Sequence, residues 1–273
     1  MAEFKSWRGY RVFEYAVKNE NRYILDSASN EFLKTLISTA SSRMKTLPKN
    51  EILFRAQRGC DLTEGYPPEG IPPEPVPLNK ERMKPLRNFA KEGRANPKGI
   101  PYLYLSTDKD TAMAEIRPWL AARVSLGEFK TVRKLSLVDC KIGTDQHWVF
   151  YFKQPSADKR ESAVWMDLGN SFSIPVDPSD GVDDYVPTQI IAEYFKNHRI
   201  DGIIYNSSLG NGNNIVLFNI NDAELLNCRL FRTQSISFDF KESGNPYFVK
   251  SRRTRKKKLS GLGRLIEGIE KRD

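Results

Sequence analysis

The chain has 273 residues, 39% of them hydrophobic, and a formal charge of +9, a length that suits one large domain or one domain with attachments. No apolar run reaches the ~18 residues a membrane span requires, and the opening residues Met1 to Ser6 lack the charged-then-apolar order of a secretory signal. Cys60, Cys140 and Cys228 are isolated and odd in number, which argues against a disulfide framework and for a reducing cytoplasm.

The charge is uneven. Arg252 to Lys258 carries six positive charges and no acidic one, leaving +3 for everything else. The high pI therefore belongs to a tail, and it is weak support for a nucleic-acid-binding fold.

In chain order, Ser27 and Ser29 are expected to cap a helix with Phe32, Leu33, Leu36, Ile37 and Ala40 on one face. Ser42, Pro48 and Asn50 end it, and Glu51 to Ala56 reads as a short strand. Residues 66–77 hold six prolines. Proline lacks the amide donor and fixes φ, so this stretch reads as a stiff surface excursion, ahead of a docking peptide for a proline-binding partner.

Arg94 to Pro101 is rich in turn residues, and Tyr102 to Ser106 follows as a strand with Tyr102 and Tyr104 on one side. Thr107 to Asp110 approximates a capping box for a helix carrying Ala112, Met113, Glu115 and Ile116, closed by Pro118. Val132 to Val138 alternates like a strand. Residues 141–184 read as irregular, with Trp148, Phe150, Tyr151 and Trp165 packing a loop-rich insertion. A helix with Ile190, Ile191, Tyr194 and Phe195 on one face, a strand Asp201 to Tyr205, a turn Gly210 to Asn214 and a buried strand Ile215 to Phe218 follow. Leu259, Leu262, Leu265, Ile266 and Ile269 space a short terminal helix.

Two histidines and no cysteine pair at ligand spacing leave no metal site to predict. No Gly-x-Ser-x-Gly elbow supports a serine hydrolase. What remains is polar. Arg55 follows a strand, Arg94 opens a turn, and two guanidinium forks suit a pyrophosphate, although most arginines serve the surface. Tyr104 or Tyr102 has the shape to stack on a flat ring, with core packing the commoner use. Glu115 lies among small residues that leave room for a ligand, where a helical glutamate ordinarily faces solvent. Ser207 follows a strand, placed either to bind a ligand or as a plain turn residue. A cation, an anion and a hydroxyl converging on one cleft would suit a phosphorylated ligand containing a sugar.

The strings Phe54-Arg55, Arg94 to Ser106, Thr111 to Pro118, Thr188-Gln189, Asp201 to Ser207 and Asn214 to Phe218, in that order, resemble the RES family, named for its arginine, glutamate and serine. The resemblance covers about residues 51–220. It implies an α+β fold, an ADP-ribosyltransferase-like mixed β core flanked by helices. Around it the chain divides into an N-terminal helical extension (1–50), a RES domain (51–240) carrying the 141–184 stretch as an insertion, and a basic C-terminal tail (241–273).

The resemblance also implies a toxin of a bacterial toxin–antitoxin pair that degrades NAD by breaking the nicotinamide–ribose bond, through phosphorolysis or hydrolysis, and arrests growth. ADP-ribosylation of a protein is the alternative reaction. A module that binds nucleotide or nucleic acid without turnover, the latter through the basic tail, is the alternative of another class. Arg55, Glu115 and Ser207 carry over as catalytic positions, and Arg55, Arg94, Tyr104, Ser207 and Asn214 as positions that bind the dinucleotide. NAD is then a substrate, with inorganic phosphate a possible co-substrate and no resident cofactor. An antitoxin with an Xre-type DNA-binding domain is the implied partner.

Overall fold

The computed structural model describes residues 2–63, 72–86, 89–141, 151–174, 182–242 and 244. The chain forms two compact units, Met1–Ile236 and Ser237–Asp273. The second is described only over 237–242 and 244, where the rings of Phe238 and Phe240 stack at 6.0 Å. The basic run and the predicted terminal helix lie outside the described residues.

The first unit is built on an eight-stranded sheet. In chain order its strands are β1 (Met44–Leu47), β2 (Ile52–Arg58), β5 (Leu103–Ser106), β6 (Arg123–Thr131), β7 (Leu135–Asp139), β8 (Gly202–Asn206), β9 (Asn213–Leu217) and β10 (Ala223–Arg232). Their order across the sheet is β1-β7-β8-β9-β5-β2-β6-β10. Every neighbouring pair is antiparallel except β7 and β8. A parallel pair needs a crossover, which α5 (Ala157–Ser173) and α6 (Val186–Asn197) supply. This is the mixed sheet flanked by helices that the fold-class reading expects. β3 (Asp61–Leu62) and β4 (Pro75–Val76) make a separate two-stranded ribbon, followed by the short helix α3 (Lys80–Met83), so the described part of the proline stretch, 72–77, contributes to no central strand.

Side chains alternate across the sheet and feed two large cores, beside a small cluster of Ala56, Ala112, Val124 and Leu126. Tyr102, Val138, Ile203, Tyr205 and Val216 face the helices, whereas Leu103, Leu105, Leu137, Ile204 and Ile215 face the opposite side, where Leu78 and Met83 cover them. Tyr102 and Tyr104 do share a side. Tyr102 is spent on the core, its ring 5.0 Å from that of Phe218.

Helix α1 (Gly9–Asn19) buries Tyr10, Phe13 and Val17, one stripe at helical spacing. Helix α2 (Ser27–Ala40) buries Phe32, Leu33, Leu36 and Ala40. Its cap is Asp26, whose carboxylate accepts from Ser29 N at 2.7 Å, not either predicted serine. The side chains of both helices share one core with Trp165, Phe195 and Val216, and β1 extends the sheet beside β7. The segment expected as an N-terminal extension is thus packed into the main core.

The expectation of irregular structure over 141–184 fails at 157–173. There α5 buries Val164, Trp165, Leu168 and Phe172 completely. Trp148 and Phe150 lie outside the described residues. The strand expected over Val132 to Val138 runs Leu135–Asp139 instead, because Arg133 turns to join Asp201 and Asp222. Among the described residues no helix is long and apolar enough to cross a membrane.

Candidate active site

Strands β2 and β5 pair at one position only, Phe54 with Ser106. Beyond it the ladder is completed by a side chain: Arg55 Nη1 donates to the Tyr104 carbonyl at 3.0 Å. Arg55 Nε is sealed from solvent without a hydrogen-bond partner. Burial pulls this guanidinium down to about 10, and no carboxylate among the described residues offsets that cost. It is still a cation at neutral pH, with an unused donor.

Glu115 closes α4 (Lys109–Glu115). Its Oε1 accepts from Ser207 Oγ at 2.7 Å and from Asn214 Nδ2 at 2.6 Å. Asn214 is held in turn by Ser106, whose hydroxyl donates to Asn214 Oδ1 at 2.9 Å. Ser207 Oγ accepts from the amides of Leu209 and Gly210, both at 3.1 Å. With its lone pairs engaged, the hydroxyl directs its proton to the carboxylate. Glu115 Oε2 takes no hydrogen bond from the described residues.

The loop carrying Ser207 is fastened to α4. Gly212 N donates to Thr111 Oγ1 and Asn213 N to Thr107 Oγ1, each at 2.9 Å. Thr111 sits one turn before Glu115, on the same helix face. Two glycines permit this approach. A Cβ at Gly210 would fall 2.4 Å from Thr111 Oγ1, and one at Gly212 would fall 1.6 Å from Asp108 Oδ2. Asp108, not Thr107, is the N-cap, accepting from Thr111 N at 2.8 Å. Gly212→Ala must therefore displace the cap of the helix that bears Glu115. It is expected to cost about 1–3 kcal/mol, read as a lower urea midpoint at unchanged m-value.

Tyr104 forms one wall. Its hydroxyl donates to Asn96 Oδ1 at 2.7 Å and accepts from Ala95 N at 3.0 Å. Burial pushes that hydroxyl well above the usual tyrosine range. Gln189 Nε2 braces the same loop by donating to the carbonyls of Gly93 and Asn96.

Arg55, Tyr104, Glu115 and Asn214 line one cavity of about 260 Å³, together with Phe54 and Tyr205. Ser207 reaches it through Glu115. Arg94 does not line it: its Nη1 donates to the Phe172 carbonyl at 2.9 Å. Burial pushes Tyr205 up to about 12, against the pull of Arg94. The two arginines therefore do not form the paired clamp the sequence suggested, since only Arg55 lines the cavity.

Ser106, Tyr205 and Thr111 escaped the sequence reading. Their signal was positional: Ser106 is the register partner of Asn214, and Asn214 that of Tyr205. A second, more apolar cavity of about 190 Å³ lies between α1 and α2, against Phe4, Phe13 and Phe32. It gathers none of the predicted site residues.

A family model described as the RES domain matches residues 75–241. That span includes Arg94, Tyr104, Glu115, Ser207 and Asn214, and it begins downstream of Arg55. No curated protein matches the chain. Among solved structures, the crystal structure of the M. tuberculosis MbcT–MbcA toxin–antitoxin complex is similar at 14% identity and a TM-score of 0.36, covering 73% of this chain and 92% of that one.

Proposed function

The chain belongs to the RES domain family, and from that membership we propose that it consumes NAD by breaking the bond between nicotinamide and ribose. One observation carries the reading. A guanidinium with an unused buried donor and a carboxylate with an unused oxygen line the same cavity.

Nicotinamide departs readily because its ring nitrogen carries positive charge in NAD and takes the bonding electrons as it leaves. Positive charge then develops on the ribose, giving an oxocarbenium-like transition state of the kind glycosidases meet with carboxylates. Glu115 accepts from a ribose hydroxyl and opposes that charge. Ser207 and Asn214 hold its other oxygen, so little reorganisation is needed as the charge appears. Arg55 supplies positive charge at the cavity lining, and the Tyr104 ring flanks the nicotinamide side.

Either water or inorganic phosphate completes the reaction at the ribose C1′ carbon. Water gives ADP-ribose and a proton, and phosphate gives ADP-ribose 1″-phosphate. Chromatography of NAD incubated with the full chain, with and without phosphate, distinguishes them. Nicotinamide release in either case supports the reading, unchanged NAD refutes it, and label from NAD retained on a protein redirects it to ADP-ribosylation. Loss of NAD in the cytoplasm would arrest growth. An antitoxin that covers the cavity mouth is the partner this activity requires.

A further inference from the structure

A cavity of about 260 Å³ falls below the ~300–1,000 Å³ usual for drug-sized ligands, and a dinucleotide is larger still. If the cavity takes the nicotinamide riboside half, as proposed above, the adenosine half lies outside it and needs its own support. We propose that Trp119, backed by Arg58, is the surface on which the adenine base stacks.

Two segments lead there from the cavity lining. Ala56 lines the cavity, and Arg58 lies two residues further on the same face of β2, roughly 7 Å away along an extended strand. Ile116 also lines it, and the loop leaving α4 runs from Ile116 to Trp119. The segments meet where the Arg58 guanidinium sits over the Trp119 ring, 5.3 Å from its centroid. Trp119 is nevertheless 63% exposed, and Leu120 beside it 61%. An indole with a cation on it and this much open surface is suited to a purine, because stacking needs only a flat ring and the guanidinium strengthens it.

The loop is built to hold that ring out. Arg117 has φ 44° and Ala121 φ 63°, left-handed values that non-glycine residues adopt only when surroundings enforce them. The enforcing bonds are Ala122 N to the Trp119 carbonyl at 3.1 Å, and a reciprocal pair joining Ala121 N to the Thr233 carbonyl at 3.0 Å and Thr233 N to the Ala122 carbonyl at 2.9 Å. Arg117, also exposed, adds a positive charge on the path a pyrophosphate would take from ribose to adenosine.

The test uses the full chain and two probes. Calorimetric titration with ADP reads the subsite directly. Turnover of NAD against nicotinamide mononucleotide, which lacks the adenosine half, reads its use. Trp119→Ala is expected to weaken ADP binding roughly 10- to 100-fold and to raise KM for NAD by a similar factor. The ratio of NAD to mononucleotide use then collapses, and Trp119→Phe restores most of it. Equal ADP binding by wild type and Trp119→Ala overturns the proposal, as does absent binding by wild type. A parallel fall in mononucleotide use overturns it too, because Trp119 would then be a structural residue. If the wild type releases no nicotinamide, the reading of the cavity fails, and the ADP titration still decides the subsite.

Discussion

Glu115→Gln is expected to slow nicotinamide release from NAD by about 10²–10³-fold, the usual loss when one well-placed electrostatic group is removed. The substitution keeps the volume, and its amide oxygen still accepts from Ser207 and Asn214, which donate to Oε1 at 2.7 and 2.6 Å. What changes is the other position. An unpartnered carboxylate oxygen becomes an amide nitrogen, a donor without charge, facing the sugar where positive charge grows. Such a group contributes to rate only insofar as it acts more strongly on the transition state than on bound NAD. Binding should therefore survive, measured by calorimetry, while single-turnover release of nicotinamide collapses. Equal turnover by the two proteins would remove Glu115 from the mechanism and leave the cavity without its central group.

Trp165→Ala is expected to destabilise the fold by about 3–5 kcal/mol, a large share of the ~5–15 kcal/mol that holds a typical domain together. The indole is fully buried. It stacks on Phe195 with centroids 6.4 Å apart, carries the Arg43 guanidinium 4.6 Å over its ring, and donates from Nε1 to Thr39 Oγ1 at 3.1 Å. One side chain thus joins α2, α5 and α6. The urea midpoint should fall sharply. An unchanged midpoint would mean that α5 adds little to the core it is buried in.

That contrast shows what local pattern can and cannot reveal. α4, α6, β8 and β9 were legible because each combines a strong apolar period with a cap, a proline or a glycine at its ends. α5 was not, because charged Asp158, Lys159, Arg160 and Glu161 open it and apolar residues alone do not separate a helix from a packed loop. β6 was missed for another reason. Its alternation over Arg123 to Gly127 loses phase at Glu128, because Val124 and Leu126 feed one cluster and Phe129 another, and Gly127 interrupts its middle. In the site, Arg55, Tyr104, Glu115 and Asn214 were each named from sequence and share one cavity. Arg94 was named as a partner of Arg55. Arg94 instead turns its Nη1 to the Phe172 carbonyl, and no spacing in the chain encodes that.

The seam between β2 and β5 carries a final consequence. With a single backbone pairing there, the guanidinium of Arg55 serves as a rung of the sheet. Its position is set by main-chain geometry and not by a free choice of rotamer, so its charge is fixed at the cavity lining. A lysine could supply the charge but not both tasks, since an ammonium lacks the rigid fork that bonds in two fixed directions. At this point one side chain both closes the sheet and lines the cavity.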